Sequence, residues 1–284
     1  MPEPTSGALL RFLALFGGFF LVAAWELAWP RRQQAVDVGG RWVGNIVLYL
    51  VNSALMVWLL PEPARIRGEI AAALGVALPG WPFAGALPTI VAGVLVCDVL
   101  RYGLHRLEHA VPFLWRLHAL HHSDPDLDVS TALRHHPLEI VAGSALLWIG
   151  FLVIDIPPLA LFAYGVVLTT TAAIQHGNLR LPPRWEPWLQ RLLVTSDMHR
   201  IHHALARSDA DSNYGAVFSL WDRVFGTFRR LSPEAHEALC FGIAELRAAE
   251  YQTLPAMLMS PWLLARAGNG RRAQAPHGLR RVVS

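Results

Sequence analysis

Residues 83–109 read FAGALPTIVAGVLVCDVLRYGLHRLEH, an apolar run that ends in a polar stripe. The apolar part is long enough for a spanning helix, which needs roughly 20 such residues. Asp98, Tyr102, His105 and His109 then recur at i, i+4, i+7 and i+11, a spacing that gathers side chains on one helix face. An acid, a phenol and two imidazoles at the edge of a membrane span are costly unless they serve a purpose. Histidine is the commonest metal ligand, and residues one turn apart aim at one point. The stretch therefore predicts a membrane helix whose end supplies part of a metal site, with His105 and His109 as ligands. Asp98 and Tyr102 are expected to orient imidazoles or shield charge.

Outward from this helix, eleven of the thirteen histidines fall between His105 and His203. Two further clusters, His118-Ala-Leu-His121-His122 and His199-Arg-Ile-His202-His203, share an HxxHH spacing. On a helix this covers about 100°, suited to gripping one ion or bridging two. His176 follows a long apolar stretch and adds a ninth imidazole. Nine ligands exceed what one ion takes, so two metals with open positions are expected. His135 and His136, in Arg-His-His-Pro, are placed at the mouth of the site, with His136 a further candidate ligand and His135 read rather as an ordinary polar residue. His236 and His277 are read as ordinary satisfied polar residues. Asp197 is expected to cap its helix or bond a ligand. Asp98, Glu108, Asp124, Glu139 and Asp197 are the anions available to compensate the metal charge. Imidazole suits zinc, copper, iron and nickel alike, so spacing does not choose the metal.

The rest of the chain supplies the setting. It is 54% hydrophobic and 16% charged, whereas about 25% charged is usual for a soluble protein. Apolar segments run from Ala8 to Trp29, Val43 to Leu60, Phe83 to Leu104 and Leu138 to Ile174. The fourth is broken by Asp155-Ile-Pro157-Pro158 and reads as a short helical hairpin. Trp25, Trp29, Trp42, Trp58 and Trp81 lie near the expected helix ends, where tryptophan favours the bilayer interface. The expectation is an all-α, polytopic membrane helical bundle of about four spans with a histidine-rich cap. Residues 1–82 would be N-terminal membrane helices, 83–250 the domain that carries the histidine clusters, and 251–284 an interfacial helix with a disordered basic tail.

This layout puts every histidine cluster on one side. Arginine supplies all the basic charge, since there is no lysine, and it crowds that side. The positive-inside rule then makes it cytoplasmic, with Arg65 and Arg67 in the opposite loop as the exception. All-arginine usage points to a GC-rich, bacterial source and hence an inner membrane. The arginines flank apolar runs and form no continuous stripe, which argues against nucleic acid. Cys97 and Cys240 give neither a disulfide framework nor a CxxC site. No GxSxG, Walker A, Rossmann glycine fingerprint or convincing HExxH is present.

Taken in order, the motifs are Asp98-x3-Tyr102-x2-His105-x3-His109, Trp115-x2-His118-x2-His121-His122-Ser123 and Arg134-x-His136-Pro137-x-Glu139. They continue with His199-x2-His202-His203, Asn213-Tyr214-Gly215 and Trp221-Asp222-x2-Phe225-Gly226-Thr227. Together they resemble the fatty acid hydroxylase/sterol desaturase superfamily of membrane di-iron enzymes. The resemblance implies two non-haem Fe ions and O2-dependent hydroxylation or desaturation of a membrane lipid. Sterol or hopanoid, fatty acyl, ether lipid and carotenoid classes all remain open. It also implies a separate electron donor of ferredoxin or cytochrome b5 type with its reductase. Relatives carry an HxxxH pair where this chain has His176. The NYG and WDxxFGT motifs are expected to shape the cap rather than do chemistry. The rival reading is a non-catalytic membrane protein that binds metal.

Overall fold

The computed structural model describes residues 4–34, 37–59 and 63–268. Five long helices dominate: α1 (Pro4–Ala28), α2 (Val38–Leu59), α4 (Ala86–Ala110), α6 (Pro137–Val153) and α7 (Pro158–His176). A shorter α3 (Pro63–Leu74) follows α2, and α5 (Pro112–His122) follows α4 after a one-residue break at Val111. Beyond α7 lie the short α8 (Glu186–Leu189), α9 (Ser196–His202), α10 (Arg207–Ala210), α11 (Leu220–Val224) and α12 (Pro233–Glu237). Helix α13 (Leu254–Arg266) is the last one described. No strand occurs among the described residues, only the isolated bridges Leu193–Phe218 and Ala204–Phe241. The all-helical expectation holds. The basic tail and His277 lie outside the described residues.

Four helices are long and apolar enough to cross a membrane: Leu9–Ala28, Val38–Leu59, Ala86–Ala110 and Pro158–His176. The second, an apolar run from Val43 in the sequence, begins at Val38 and reaches 22 residues. The hairpin is uneven, because α6 has 17 residues and α7 has 19. These helices leave most of their apolar surface uncovered, with Leu10, Leu21, Val43, Val57, Leu87 and Val153 among the exposed side chains. A band of that extent is expected to face lipid rather than water.

The segments that carry His105 to His203 gather at one end of the bundle. The C-termini of α1, α4 and α7 and the N-termini of α2 and α6 meet there. Glu26 at the end of α1 accepts from the Val129 and Asn178 amides at 2.9 and 2.8 Å. Arg41 at the start of α2 donates to Asp124 at 2.8 Å and stands 3.0 Å from Asp128. Arg134, fully buried, donates to the Leu120 carbonyl, Ser123 and Gln252 at 3.1, 2.9 and 2.9 Å. Segment 123–134 is thereby fixed beneath α5. Helix α13, expected at the interface, docks on α5 through buried Met257 and Leu264 and leaves Met259 and Trp262 exposed.

At the opposite end Arg67 explains its own exception to the arginine bias. Its guanidinium donates to the Leu152, Val153 and Pro79 carbonyls and stands 3.5 Å from Asp155. It thus satisfies the last carbonyls of α6, which a helix terminus leaves without partners.

Candidate metal centre

The nine imidazoles expected as ligands converge into two adjoining groups. His105, His109, His118, His122 and His202 form one, and His121, His176, His199 and His203 the other. The ligand atoms within each group lie within 4.8 Å of one another, and all nine residues are buried. Helical geometry produces the division. In α5 the i, i+4 pair His118 and His122 serves the first group, while His121 turns to the second. At the end of α9 the pattern is reversed: His199 and His203 pair, and His202 crosses over. Each HxxHH motif therefore straddles both groups. His122 and His203 stack at the seam with centroids 4.4 Å apart.

The rings point the same way. In the first group the Nε2 separations are 3.0 Å for His202–His105, 3.2 Å for His105–His118, 3.2 Å for His118–His122 and 3.1 Å for His109–His122. In the second they are 3.1 Å for His121–His176, 2.9 Å for His176–His199 and 3.1 Å for His199–His203. Donors at ~2.1 Å from one ion and at right angles to each other would stand about 3.0 Å apart.

Five of the nine opposite ring nitrogens are engaged elsewhere, whereas Nδ1 of His109, His199 and His203 is buried without a hydrogen-bond partner. Nδ1 of His105 donates to the Tyr214 carbonyl at 2.8 Å, His202 to Ser212 at 2.7 Å and His176 to Ala172 at 2.8 Å. His121 Nδ1 reaches the Arg134 carbonyl at 3.3 Å, and His118 Nδ1 reaches Glu139 Oε1 at 2.8 Å. Such bonds place the proton on Nδ1 and leave the Nε2 lone pair facing inward. Lone pairs packed against lone pairs suit a cation between them, so the donor set fits two metal ions. Burial first, then neighbouring imidazoles, holds His121, His122, His199, His202 and His203 well below the ordinary imidazole range. They are neutral at physiological pH, the form that ligates.

Several expected roles are corrected. Asp98 touches no imidazole. It accepts from the Val217 and Phe218 amides, both at 3.0 Å, and from Trp221 Nε1 at 2.8 Å. Tyr102 bonds Thr227 at 2.8 Å, and Thr227 donates to Asp222. Asp222 in turn accepts from the Tyr214 and Gly215 amides. The 213–228 segment wedges between that face of α4 and the centre, so both residues act through it, one step further out. Asp197 pairs with Arg31, and Thr195, not Asp197, caps α9. Asp124 is taken by Arg41 and Thr131. Glu108, by contrast, lies where a charge-compensating anion was expected: it pairs with Arg101 at 2.8 Å and stands 3.8 Å from His118 Nδ1.

His136 is not brought to the centre. Its Nδ1 accepts from the Leu138 amide at 3.1 Å, and its Nε2 donates to the Leu258 carbonyl at 3.0 Å, so it caps α6. His135 stacks on His121 at 4.4 Å and is held by Glu139 at 2.8 Å. His236 lies in α12, away from both groups. The sequence reading missed Asp211, which stands 3.6 Å from His109 Nδ1; an acid shortly after the third cluster was the only signal. It also missed the backbone carbonyls that orient the rings, which leave no trace in residue type.

A cavity of about 520 Å³ opens onto the centre. Phe16 and Phe19 of α1, Met56 of α2 and Leu168 of α7 line it, and His105, His118, His121, His176 and His199 form one end. A smaller pocket of about 40 Å³ reaches His109 and His122 from another direction, past Trp115 and Asp211.

The sequence model of the family described as Fatty acid hydroxylase matches residues 90–227, a span that holds all nine imidazoles. Human Alkylglycerol monooxygenase is 37% identical over 149 residues, covering 49% of this chain and 30% of that protein. Ornithine lipid hydroxylase OlsE of Rhizobium tropici is 30% identical over 148 residues, covering 52% of this chain and 43% of its own. Very-long-chain aldehyde decarbonylase GL1-6 of Oryza sativa subsp. indica is 28% identical over 219 residues, covering 72% and 31%. The matches thus span less than half the length of these relatives. No solved structure matches the chain. With the motifs in family order and their histidines converging as two groups, residues 90–227 carry the sequence pattern of the fatty acid hydroxylase family.

Proposed function

We propose that the chain is a membrane-bound di-iron oxygenase that hydroxylates or desaturates a lipid with O2. The observation that carries this reading is the convergence of nine inward-facing imidazoles, as five and four, at the end of an apolar cavity. His105, His109, His118, His122 and His202 would hold one iron, and His121, His176, His199 and His203 the other. Bound there, iron would supply the O2 chemistry needed at an unactivated C–H bond, which no side-chain acid or base can attack.

The protein's own part is positioning and enclosure. Glu139 and the carbonyls of Tyr214, Ser212, Ala172 and Arg134 fix ring orientation through Nδ1. Glu139, Glu108 and Asp211 bring negative charge toward an otherwise neutral ligand set. The apolar walls from α1, α2 and α7 exclude water and receive a hydrocarbon chain from the bilayer. Relatives named for alkylglycerol and ornithine lipid favour a long-chain lipid and hydroxylation. Sterol or hopanoid, fatty acyl and carotenoid substrates are the other classes to compare.

Residues 83–250 would carry the reaction, with residues 1–82 completing the cavity wall. Electrons would come from a separate ferredoxin- or cytochrome b5-type donor. The histidine-bearing end also carries Arg31, Arg32 and Arg41, which supports a cytoplasmic orientation in a bacterial inner membrane. The test is lipid mass spectrometry of cells expressing the wild type or His202→Ala. The reading expects one lipid class to gain one oxygen, or lose two hydrogens, only with the wild type. Identical lipidomes would favour a non-catalytic metal-binding protein.

A further inference from the structure

The cavity wall contains a side-chain oxygen that nothing among the described residues satisfies. Asn52, on α2, is 6% exposed and lines the cavity. Its Nδ2 donates to the His135 carbonyl at 2.9 Å, and its Oδ1 has no partner although it is buried. The amide orientation is fixed by that bond, since a flip would set Oδ1 against the His135 carbonyl, acceptor against acceptor. Oδ1 is therefore a held acceptor. The His135 ring to whose backbone it is tied stacks on His121, so this acceptor sits near the histidine end of the cavity.

The neighbouring chemistry narrows what could meet it. Ser53 is committed to the Tyr49 carbonyl at 2.8 Å. Arg101, the charged member of the wall, is paired with Glu108 at 2.8 Å. Thr169 donates to the Gly165 carbonyl and Gln175 to the Ala216 carbonyl, and the wall is otherwise mostly apolar apart from Tyr49 and the histidines. A buried polar group without a partner is a standing cost, which a ligand's donor removes and an apolar ligand does not. An ordered water would serve only until a ligand displaced it.

We propose that Asn52 Oδ1 is a specificity-determining acceptor, selecting neutral lipids that carry an O–H or N–H donor close to the carbon brought to the histidine end. This rests on the reading that the cavity receives the lipid substrate. It adds that a bare hydrocarbon end and an anionic headgroup are both poorer ligands than a hydroxyl or amide.

The test uses the iron-loaded full chain in detergent micelles, with hexadecane-1,2-diol and 1,2-dimethoxyhexadecane competing against a fluorescent lipid. The wild type should bind the diol about tenfold more tightly, the span of one well-made hydrogen bond. Asn52→Leu should remove that preference by weakening the diol alone. Equal binding of the two ligands by the wild type overturns the inference and needs no variant. A preference that survives in Asn52→Leu, at wild-type metal content, overturns it as well. An Asn52-dependent preference without any lipid oxidation upholds the inference while the oxygenase reading fails. Oxidation that ignores both headgroup methylation and Asn52→Leu upholds the oxygenase reading while the inference fails.

Discussion

His118 donates its Nδ1–H to Glu139 Oε1 at 2.8 Å while its Nε2 stands 3.2 Å from those of both His105 and His122. One imidazole is thus fixed from behind by a carboxylate and presented forward to four others. The same carboxylate oxygen holds His135, and Oε2 accepts from the His136 amide at 3.1 Å. Glu139→Gln removes the charge and keeps the shape. It should weaken metal binding in the five-histidine group by about tenfold or more while the chain stays folded. Titration of the metal-free protein with Fe(II) would read this directly; unchanged affinity would remove Glu139 from the centre's support.

His136 provides the contrast. Because both ring nitrogens serve the α6 cap and Leu258, His136→Ala should leave the metal content unchanged and lower stability by about 1 kcal/mol. Loss of one metal per chain in this variant would return His136 to the ligand set.

Asp98 ties the 213–228 segment to α4 through three donors, and Tyr214 in that segment accepts from His105. Asp98→Ala should free the Val217 and Phe218 amides, at a cost of about 1–3 kcal/mol for buried groups left without partners. Faster hydrogen exchange at those two amides, with a milder loss of metal affinity than Glu139→Gln, is the expected result. Unaltered exchange would show that the segment is held by other contacts.

The buried Arg41–Asp124 pair gives a pH dependence. Burial acts to raise the Asp124 pKa, and Arg41, followed by Arg134, outweighs it, holding the carboxyl below its ordinary range. Since the folded value lies below the unfolded value of about 3.9, the folded state binds fewer protons between them. The stabilisation is complete above about pH 4 and is lost as pH falls through the folded value. Asp124→Asn should cost about 3 kcal/mol at neutral pH, near the low end for a broken buried pair because Asp128 also faces Arg41. It should also flatten the acid limb of thermal stability in detergent. An unchanged acid limb would assign the acid sensitivity to other groups.

Much of the centre was legible from spacing because i, i+3 and i+4 relations survive folding. His105, His109, His118, His121, His122, His176, His199, His202 and His203 are the residues brought together. Four or five imidazoles per metal was the expectation, but which ring joins which group was not legible, since that depends on how α5 and α9 are rotated against each other. Asp98 and Tyr102 share the His105 face of α4, but spacing cannot reveal a segment from over a hundred residues later lying between them and the rings. Asp197 was misread because an acid at a helix start resembles a cap, whereas Arg31, distant in sequence, claims it. Helix α3 went unread because Pro63–Leu74 carries arginines and a glutamate and has no long apolar face.

The central claim is that the nine imidazoles make two metal sites. Iron per chain, measured on protein loaded anaerobically with Fe(II) and freed of loosely bound metal, tests it most directly. The account predicts two irons in the wild type and about one in His176→Ala, which opens only the four-histidine group. One iron in the wild type, or two retained in His176→Ala, would contradict it.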